Sequence, residues 1–291
     1  MTTQAAPRPR LHYARRKAMN GLMWVFAVLA VLLAVLPLAL VLTYVIIQGA
    51  SAINWDFFTK LPKPVGETGG GAANALLGSL IIVGLASAFG LPIGILGGIY
   101  LAEFGNNRFA FTVRFAADVL AGVPAIVIGI FIWALVVIPM HGNSALAGGV
   151  ALGVMMVPTV MRTTEELVRL VPRSLREASL ALGASHWRTV LSIVLPAARG
   201  GVITGILLAI ARIAGEAAPL LFTAGWSSYW SARLAGQPVP SLPILIFQYA
   251  SSPYEDWHRL AWGSALVLVV LMLLLSAAAR YVTRGKLRLV R

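Results

Sequence analysis

The sequence predicts an all-α, polytopic integral membrane protein with six transmembrane helices and both termini in the cytoplasm. The first observation is composition: 59% of the 291 residues are hydrophobic, 11% are charged and the mean hydropathy is +0.84, which is more apolar than one soluble core can accommodate. The second is that the apolar residues form long runs separated by short polar segments. The third is that the net charge of +13 is clustered at the ends of those runs, which is typical of a membrane protein and not of a nucleic-acid-binding surface.

Each predicted span is an apolar run bounded by charged or turn-forming residues. In chain order the spans cover residues 21–48, 73–101, 109–138, 147–161, 193–218 and 262–281. The third has an amphipathic first part and is broken at Gly122-Val123-Pro124, and Pro92 predicts a kink in the second. The apolar stretch 242–249 is too short to span and is either a re-entrant piece or a helix on the outer face.

Basic residues at the two ends of the chain set the orientation. By the positive-inside rule both tails are cytoplasmic, and the even number of spans agrees with this. We therefore predict a basic tail at 1–20, a six-helix transmembrane domain at 21–283 with a polar cytoplasmic loop at 162–192, and a second basic tail at 284–291. The tail residues concerned are Arg8, Arg10, Arg15, Arg16, Lys17, Arg280, Arg284, Lys286, Arg288 and Arg291.

The polar loop holds the most informative stretch, RSLREASLALGASHWRTVLSIVLP at 173–196. Ser174 and Glu177 have the spacing of a capping box, which predicts a helix that begins at Leu175. Gly183 stands where a helix stop requires a positive φ, and Ser185 then offers an N-cap for a second helix. The segment is thus predicted to form a short helix, a sharp bend and a second helix.

One face of the first short helix carries a narrow stripe of leucines and small residues. Its members are Leu175, Ala178, Ser179 and Leu182 at positions i, i+3, i+4 and i+7. A helix this short is not stable alone. The stripe must therefore be covered, either by this chain or by a groove in another protein.

The spacing Glu177-Ala178-Ser179, then Gly183, Ile193 and Leu195-Pro196 resembles the EAA loop of ABC-importer permease subunits, which usually have Ala where this chain has Ser179. The segments at 155–166 and 211–225, MMVPTVMRTTEE and ARIAGEAAPLLFTAG, resemble the phosphate-importer permeases of that family in particular. Those permeases usually have Thr at the position of Ala217.

The resemblance implies that this chain is the membrane subunit of a phosphate importer in the bacterial cell membrane. It also implies that Leu175, Glu177, Ala178, Ser179, Leu182 and Gly183 form a coupling helix seated in a separate ATPase. The expected partners are a related permease as heterodimer partner, two ATPase subunits and an extracytoplasmic phosphate-binding protein. The chain itself is expected to bind no cofactor, with ATP and magnesium held by the ATPase subunits. In agreement, its only Gly-Lys pair, Gly285-Lys286, lacks the rest of a phosphate-binding loop.

Arg212 and Glu216 are the candidate residues of the substrate path. They are four residues apart on the fifth predicted span, and a charge in mid-membrane costs about 3 kcal/mol on insertion scales. A structural salt bridge would neutralise both. We favour a role in transport, because intramembrane charges usually mark pathways and a guanidinium matches phosphate geometry. Since Glu216 would repel a phosphate dianion, we expect the pair to exchange partners during passage.

The remaining polar features have structural interpretations. Arg114 and Asp118 are expected to pair with each other, and Glu165 and Glu166 to form a solvated end of the fourth span. The tryptophans of the outer segment 221–258 are expected to form an interfacial belt. Scattered histidines lack metal-ligand spacing, so no metal site is expected.

Three alternatives stay open. They are an ABC permease for another small oxyanion such as sulfate or molybdate, an ion-coupled secondary transporter, and a non-transporting membrane scaffold. A secondary transporter would be expected to show an internal repeat, and a scaffold would leave Arg212 unexplained.

Overall fold

A computed structural model describes residues 10–284 of the chain. Its helices are α1 (Arg10–Ala50), α2 (Trp55–Thr59), α3 (Ala73–Glu103), α4 (Arg108–Gly122), α5 (Ala125–Ile132), α6 (Ala145–Arg169), α7 (Arg173–Ala181), α8 (His186–Thr189), α9 (Leu195–Ala214), α10 (Ala218–Thr223), α11 (Leu242–Ala250) and α12 (Glu255–Arg284). Two π-helical segments, Trp133–Val137 and Val190–Val194, continue α5 and join α8 to α9. In this part of the chain the only β-pairing is an isolated bridge between Pro62 and Gly70. The predicted all-α class is confirmed.

Parts of both predicted tails, including Arg8, Lys286, Arg288 and Arg291, lie outside the described residues. Residues 10–20 belong to α1, a 41-residue helix that contains Pro37. The predicted boundary at residue 20 therefore falls inside a helix. The reason is that basic residues near a span can continue its helix into the water.

Among the described residues, five helical segments are long and apolar enough to cross a membrane, and a bent pair counts as a sixth if its two arms form one span. The pair joins α4 to Ala125–Val137 with a bend of 103°. Val123 is extended at the bend, with φ −72° and ψ 130°, because the residue before a proline avoids the helical region. The predicted break at Gly122-Val123-Pro124 is confirmed. The 13 residues after it are about 20 Å long and do not span a core of about 30 Å by themselves.

The C-terminal ends of the fourth and fifth predicted spans are wrong. Helix α6 does not stop at Met161 but continues to Arg169, so the first part of the predicted loop 162–192 is helical. The fifth span ends at Ala214, with Gly215 as its C-cap, and not at residue 218. The first error came from ending a helix at its first charge, whereas charges that find ion-pair partners let the helix continue.

Small residues let α3 lie directly against α6. Gly90, Gly94 and Gly98 are spaced four residues apart along α3, and all three are buried. A Cβ added at Gly94 would lie 2.8 Å from Val160 Cβ, and one at Gly98 would lie 2.5 Å from the carbonyl oxygen of Met161. Since lipid supplies no hydrophobic force between helices, such close backbone contact is the main source of helix association in a bilayer.

The short helix α11 packs between α3 and α12. The backbone N–H of Leu242 donates to Ser79 Oγ of α3 at 2.8 Å, and Tyr249 is buried at the other end of α11. Trp257 stacks on Tyr249 with ring centres 4.4 Å apart, and Trp226 meets the same ring edge-on at 5.6 Å. These two tryptophans therefore pack in an aromatic cluster around Tyr249, and the interfacial belt stays a prediction.

We expect Gly94→Ala to destabilise the protein by about 1–3 kcal/mol, because the new methyl group overpacks the seam against Val160. The matched control is Gly84→Ala on the same helix, where an added Cβ meets nothing within 4 Å. This substitution should be neutral or should stabilise the protein by about 1 kcal/mol. Thermal unfolding of the detergent-purified variants measures both changes. Equal unfolding temperatures for the two variants would contradict the role of the seam.

Candidate functional site: a coupling face and a charged cavity

The polar segment after α6 forms a helix, a bend and a second helix, as predicted, but its first helix begins differently. Helix α7 starts at Arg173 with Pro172 as its N-cap, and no side chain caps it. The predicted Ser174–Glu177 capping box is therefore wrong: Pro172 starts the helix two residues early, because its fixed φ suits a helix start and its missing N–H is not needed there. Gly183 has φ +82°, and Ser185 Oγ accepts from the backbone N–H of Arg188, as predicted.

Most of the leucine stripe of α7 is exposed in the described structure. Leu182 is 89% exposed, Leu175 is 44% exposed and Ala178 is exposed. Ser179 is half-buried, and its hydroxyl lies 2.9 Å from Thr189 Oγ1 on α8. The described residues of this chain leave most of the stripe uncovered.

Arg176 fastens α7 to the ends of α3 and α6. Its guanidinium pairs with Glu103 at 2.6 Å, and the Glu103 side chain is only 3% exposed. The same guanidinium donates to the carbonyl oxygen of Val168 at 2.9 Å. A displacement of α7 must therefore move α3 and α6 or break a buried ion pair. Sequence reasoning missed this contact, because 73 residues separate the partners; the only signal was a charge at the predicted end of the second span.

Glu165 is the centre of a second cluster of charges beside α7. Its side chain is 3% exposed and accepts from Arg114 and Arg169, each at 2.7 Å. Asp118 is held instead by Arg162, whose Nε lies 2.8 Å from Asp118 Oδ1. The predicted Arg114–Asp118 pair is thus wrong, and so is a solvated Glu165. Packing of α4 against α6 supplies each charge with a partner across the interface.

Arg212 and Glu216 line one cavity of about 140 Å³. The cavity lies where the α4–α5 break meets α6 and the end of α9, and its wall also includes Thr159 of α6. Arg212 is exposed in the last turn of α9 and not near mid-helix as predicted, while Glu216 is half-buried just beyond the helix end. In the part of the chain that the structure describes, no salt bridge joins Arg212 or Glu216 to any residue.

A bent helix pair, an exposed amphipathic helix and a charged cavity are the features expected of a membrane permease. The family model described as "binding-protein-dependent transport system inner membrane component" matches residues 94–288. The chain belongs to that family and is a multi-pass inner-membrane protein.

Comparison with individual proteins identifies more specific relatives within this family. The chain is 45% identical to the phosphate transport system permease protein PstA of Xylella fastidiosa over 92% of its own length and 93% of the relative's. It is 42% identical to PstA of Yersinia pestis, with 95% and 94% covered. Among solved structures it is similar to the methionine ABC transporter MetNI in an inward-facing conformation, with a TM-score of 0.58, 21% identity and 73% and 92% of the two chains covered. That likeness shows the permease fold.

We expect Arg176→Gln to loosen α7 by about 3–5 kcal/mol, because it leaves the Glu103 carboxylate buried without its partner. Backbone hydrogen exchange across residues 173–189 of the purified protein measures the loss. The matched control is Arg173→Gln on the same helix, where the cation is exposed and no salt bridge holds it in the described residues. The double change Glu103→Gln with Arg176→Gln should restore part of the protection. Exchange unchanged by Arg176→Gln would contradict the fastening role.

Proposed function

We propose that the chain is the transmembrane permease subunit of an ABC importer that carries inorganic phosphate across the cell membrane, driven by a separate ATPase. The observation that carries the proposal is Arg212: a guanidinium without a salt bridge in the described residues lines a cavity in a chain similar over nearly its whole length to permeases named for phosphate transport. Guanidinium forms two parallel hydrogen bonds with a phosphate group, which suits it to this substrate.

The proposed assembly follows from the uncovered face of α7. Leu175, Ala178 and Leu182 are exposed, so an ATPase subunit is the partner that would cover them, with Glu177, Ser179 and Gly183 completing the coupling helix. We propose a PstC-like permease as heterodimer partner, two PstB-like ATPase subunits and a PstS-like extracytoplasmic phosphate-binding protein. ATP and magnesium would be bound by the ATPase subunits and not by this chain.

The proposed orientation places the coupling helix and both termini in the cytoplasm. Basic residues support it: α7 and the ends of α6 and α12 carry arginines, and positive charge stays on the cytoplasmic side. The six crossings, with the bent pair counted as one, then form a permease domain at 21–283 flanked by the tails 1–20 and 284–291.

The rival substrate is another tetrahedral oxyanion, such as sulfate or molybdate, because a guanidinium binds any of them. Competition for uptake between these anions and phosphate separates the two possibilities. An ion-coupled secondary transporter would take up its substrate in energised vesicles without ATP.

We expect Ala178→Asp to prevent binding of the ATPase, because a carboxylate would be buried without a partner in the groove that receives α7, at a cost of several kcal/mol. The matched control is Ala181→Asp, an exposed alanine of the same helix outside the stripe. Co-purification of the ATPase with each variant is the measurement. An unchanged amount of ATPase with Ala178→Asp would refute the coupling role.

We expect Arg212→Gln to lower ATP-dependent phosphate uptake in proteoliposomes by at least about tenfold, since losing a hydrogen bond to a charged group costs about 1.5–3 kcal/mol. Assembly and basal ATP hydrolysis should survive. Arg212→Lys should restore uptake only in part, because an ammonium is a point charge. Arg199→Gln, at an exposed arginine of the same helix, serves as control. If Arg212→Gln and Glu216→Gln impair assembly equally and the double change restores it, the pair is a structural salt bridge.

A further inference from the structure

The cavity at the end of α9 holds two opposite charges that no salt bridge joins. Arg212 is the one cation and Glu216 the one carboxylate among the described residues that line it. The helix ends between them, with Gly215 as its C-cap, and the backbone N–H of Glu216 donates to the carbonyl oxygen of Ile213. Glu216 therefore does not occupy the next helical turn above Arg212, where an i,i+4 pair would form.

The hydrogen-bonding chemistry of the two groups is complementary. A guanidinium only donates, and an ionised carboxylate only accepts. A ligand that satisfies both must present acceptor oxygens and an O–H donor on the same small group. Monohydrogen phosphate has both at neutral pH, whereas sulfate and molybdate are dianions without a proton.

We infer that Glu216 selects protonated oxyanions: it accepts a hydrogen bond from the hydroxyl of the phosphate while Arg212 donates to the other oxygens. The inference rests on the proposed function and names the chemical basis of its specificity. Glu216 discriminates between the anions in two ways. An unprotonated dianion gives the carboxylate no hydrogen-bond donor, and the two negative charges repel each other. Thr159, half-buried in the same wall, adds a hydroxyl that can donate or accept.

The expected difference in affinity between phosphate and sulfate is set by the hydrogen bond to Glu216, which an unprotonated anion cannot form. Hydrogen bonds to charged groups are stronger than neutral ones. We therefore expect sulfate to require at least about tenfold higher concentrations than phosphate to occupy the cavity. Arsenate, which keeps a proton at neutral pH, should behave like phosphate.

The test measures binding of an anion in the cavity directly. The binding protein is left out, because its own selectivity would mask that of the permease. The sequence contains no cysteine, so Met155→Cys in the cavity wall provides one reporter thiol on this chain. The permease complex is purified with its ATPase, and the rate at which a neutral reagent alkylates the thiol is followed by mass spectrometry. Inorganic phosphate, arsenate and sulfate are each titrated. Leu120→Cys, in the same wall, is the second reporter if the first fails to fold.

Phosphate and arsenate should slow alkylation at concentrations at least about tenfold lower than sulfate. Glu216→Gln should bring the sulfate-to-phosphate ratio close to one, because the amide donates to an unprotonated oxygen. Glu166→Gln, at an exposed carboxylate of α6, should leave the ratio unchanged.

Equal protection by sulfate and phosphate, protection by neither, or a ratio that Glu216→Gln does not alter would each overturn the inference. Phosphate uptake by the unmodified complex is measured in parallel. If the complex takes up phosphate but all anions slow alkylation equally, the inference about Glu216 is wrong and the proposed function stands. If uptake is absent, the proposed function itself fails.

Discussion

Close contact between α3 and α6 is the constraint on which the rest of this permease depends. These two helices pack more extensively than any other pair in the described residues, and glycines at 90, 94 and 98 bring their backbones together. One end of the pair supplies Glu103 and the carbonyl group of Val168, which hold Arg176 of α7. The middle of α6 supplies Met155 and Thr159 to the cavity wall. Helix α7 and the cavity are thus both attached to the same closely packed helix pair.

The charges of the chain fall into two groups with different physical roles. Near α7, the side chains of Glu103 and Glu165 are nearly inaccessible and form ion pairs with arginines, and breaking such a pair is costly. The Glu103 pair holds the short helix α7 against the end of α3, whereas Glu165 holds α4 against α6. In the cavity, Arg212 and Glu216 form no salt bridge in the described structure. Under the proposed function, these two charges are the ones that a passing anion would contact.

The sequence predicted what depends on local chemistry. The positive φ of Gly183, the Ser185 cap and the break at Pro124 each depend on one or two neighbouring residues. The membrane-spanning helices were predicted because the bilayer thickness sets the length of apolar sequence that a span needs. The errors arose where long-range packing decides. Arg114 and Asp118 pair with residues of α6 and not with each other. Arg212 lines the cavity, and its role in transport stays a prediction. The helix end at Gly215 was not predicted, because a single glycine within an apolar run is ambiguous.

The central claim is that phosphate movement through this chain is coupled to a separate ATPase through α7. It is tested most directly by the rate of ATP hydrolysis of the reconstituted complex, measured with and without the phosphate-loaded binding protein. The account predicts that hydrolysis rises only when loaded binding protein is present on the outer side. Phosphate transport that proceeds without ATP, or hydrolysis indifferent to loaded binding protein, would contradict it.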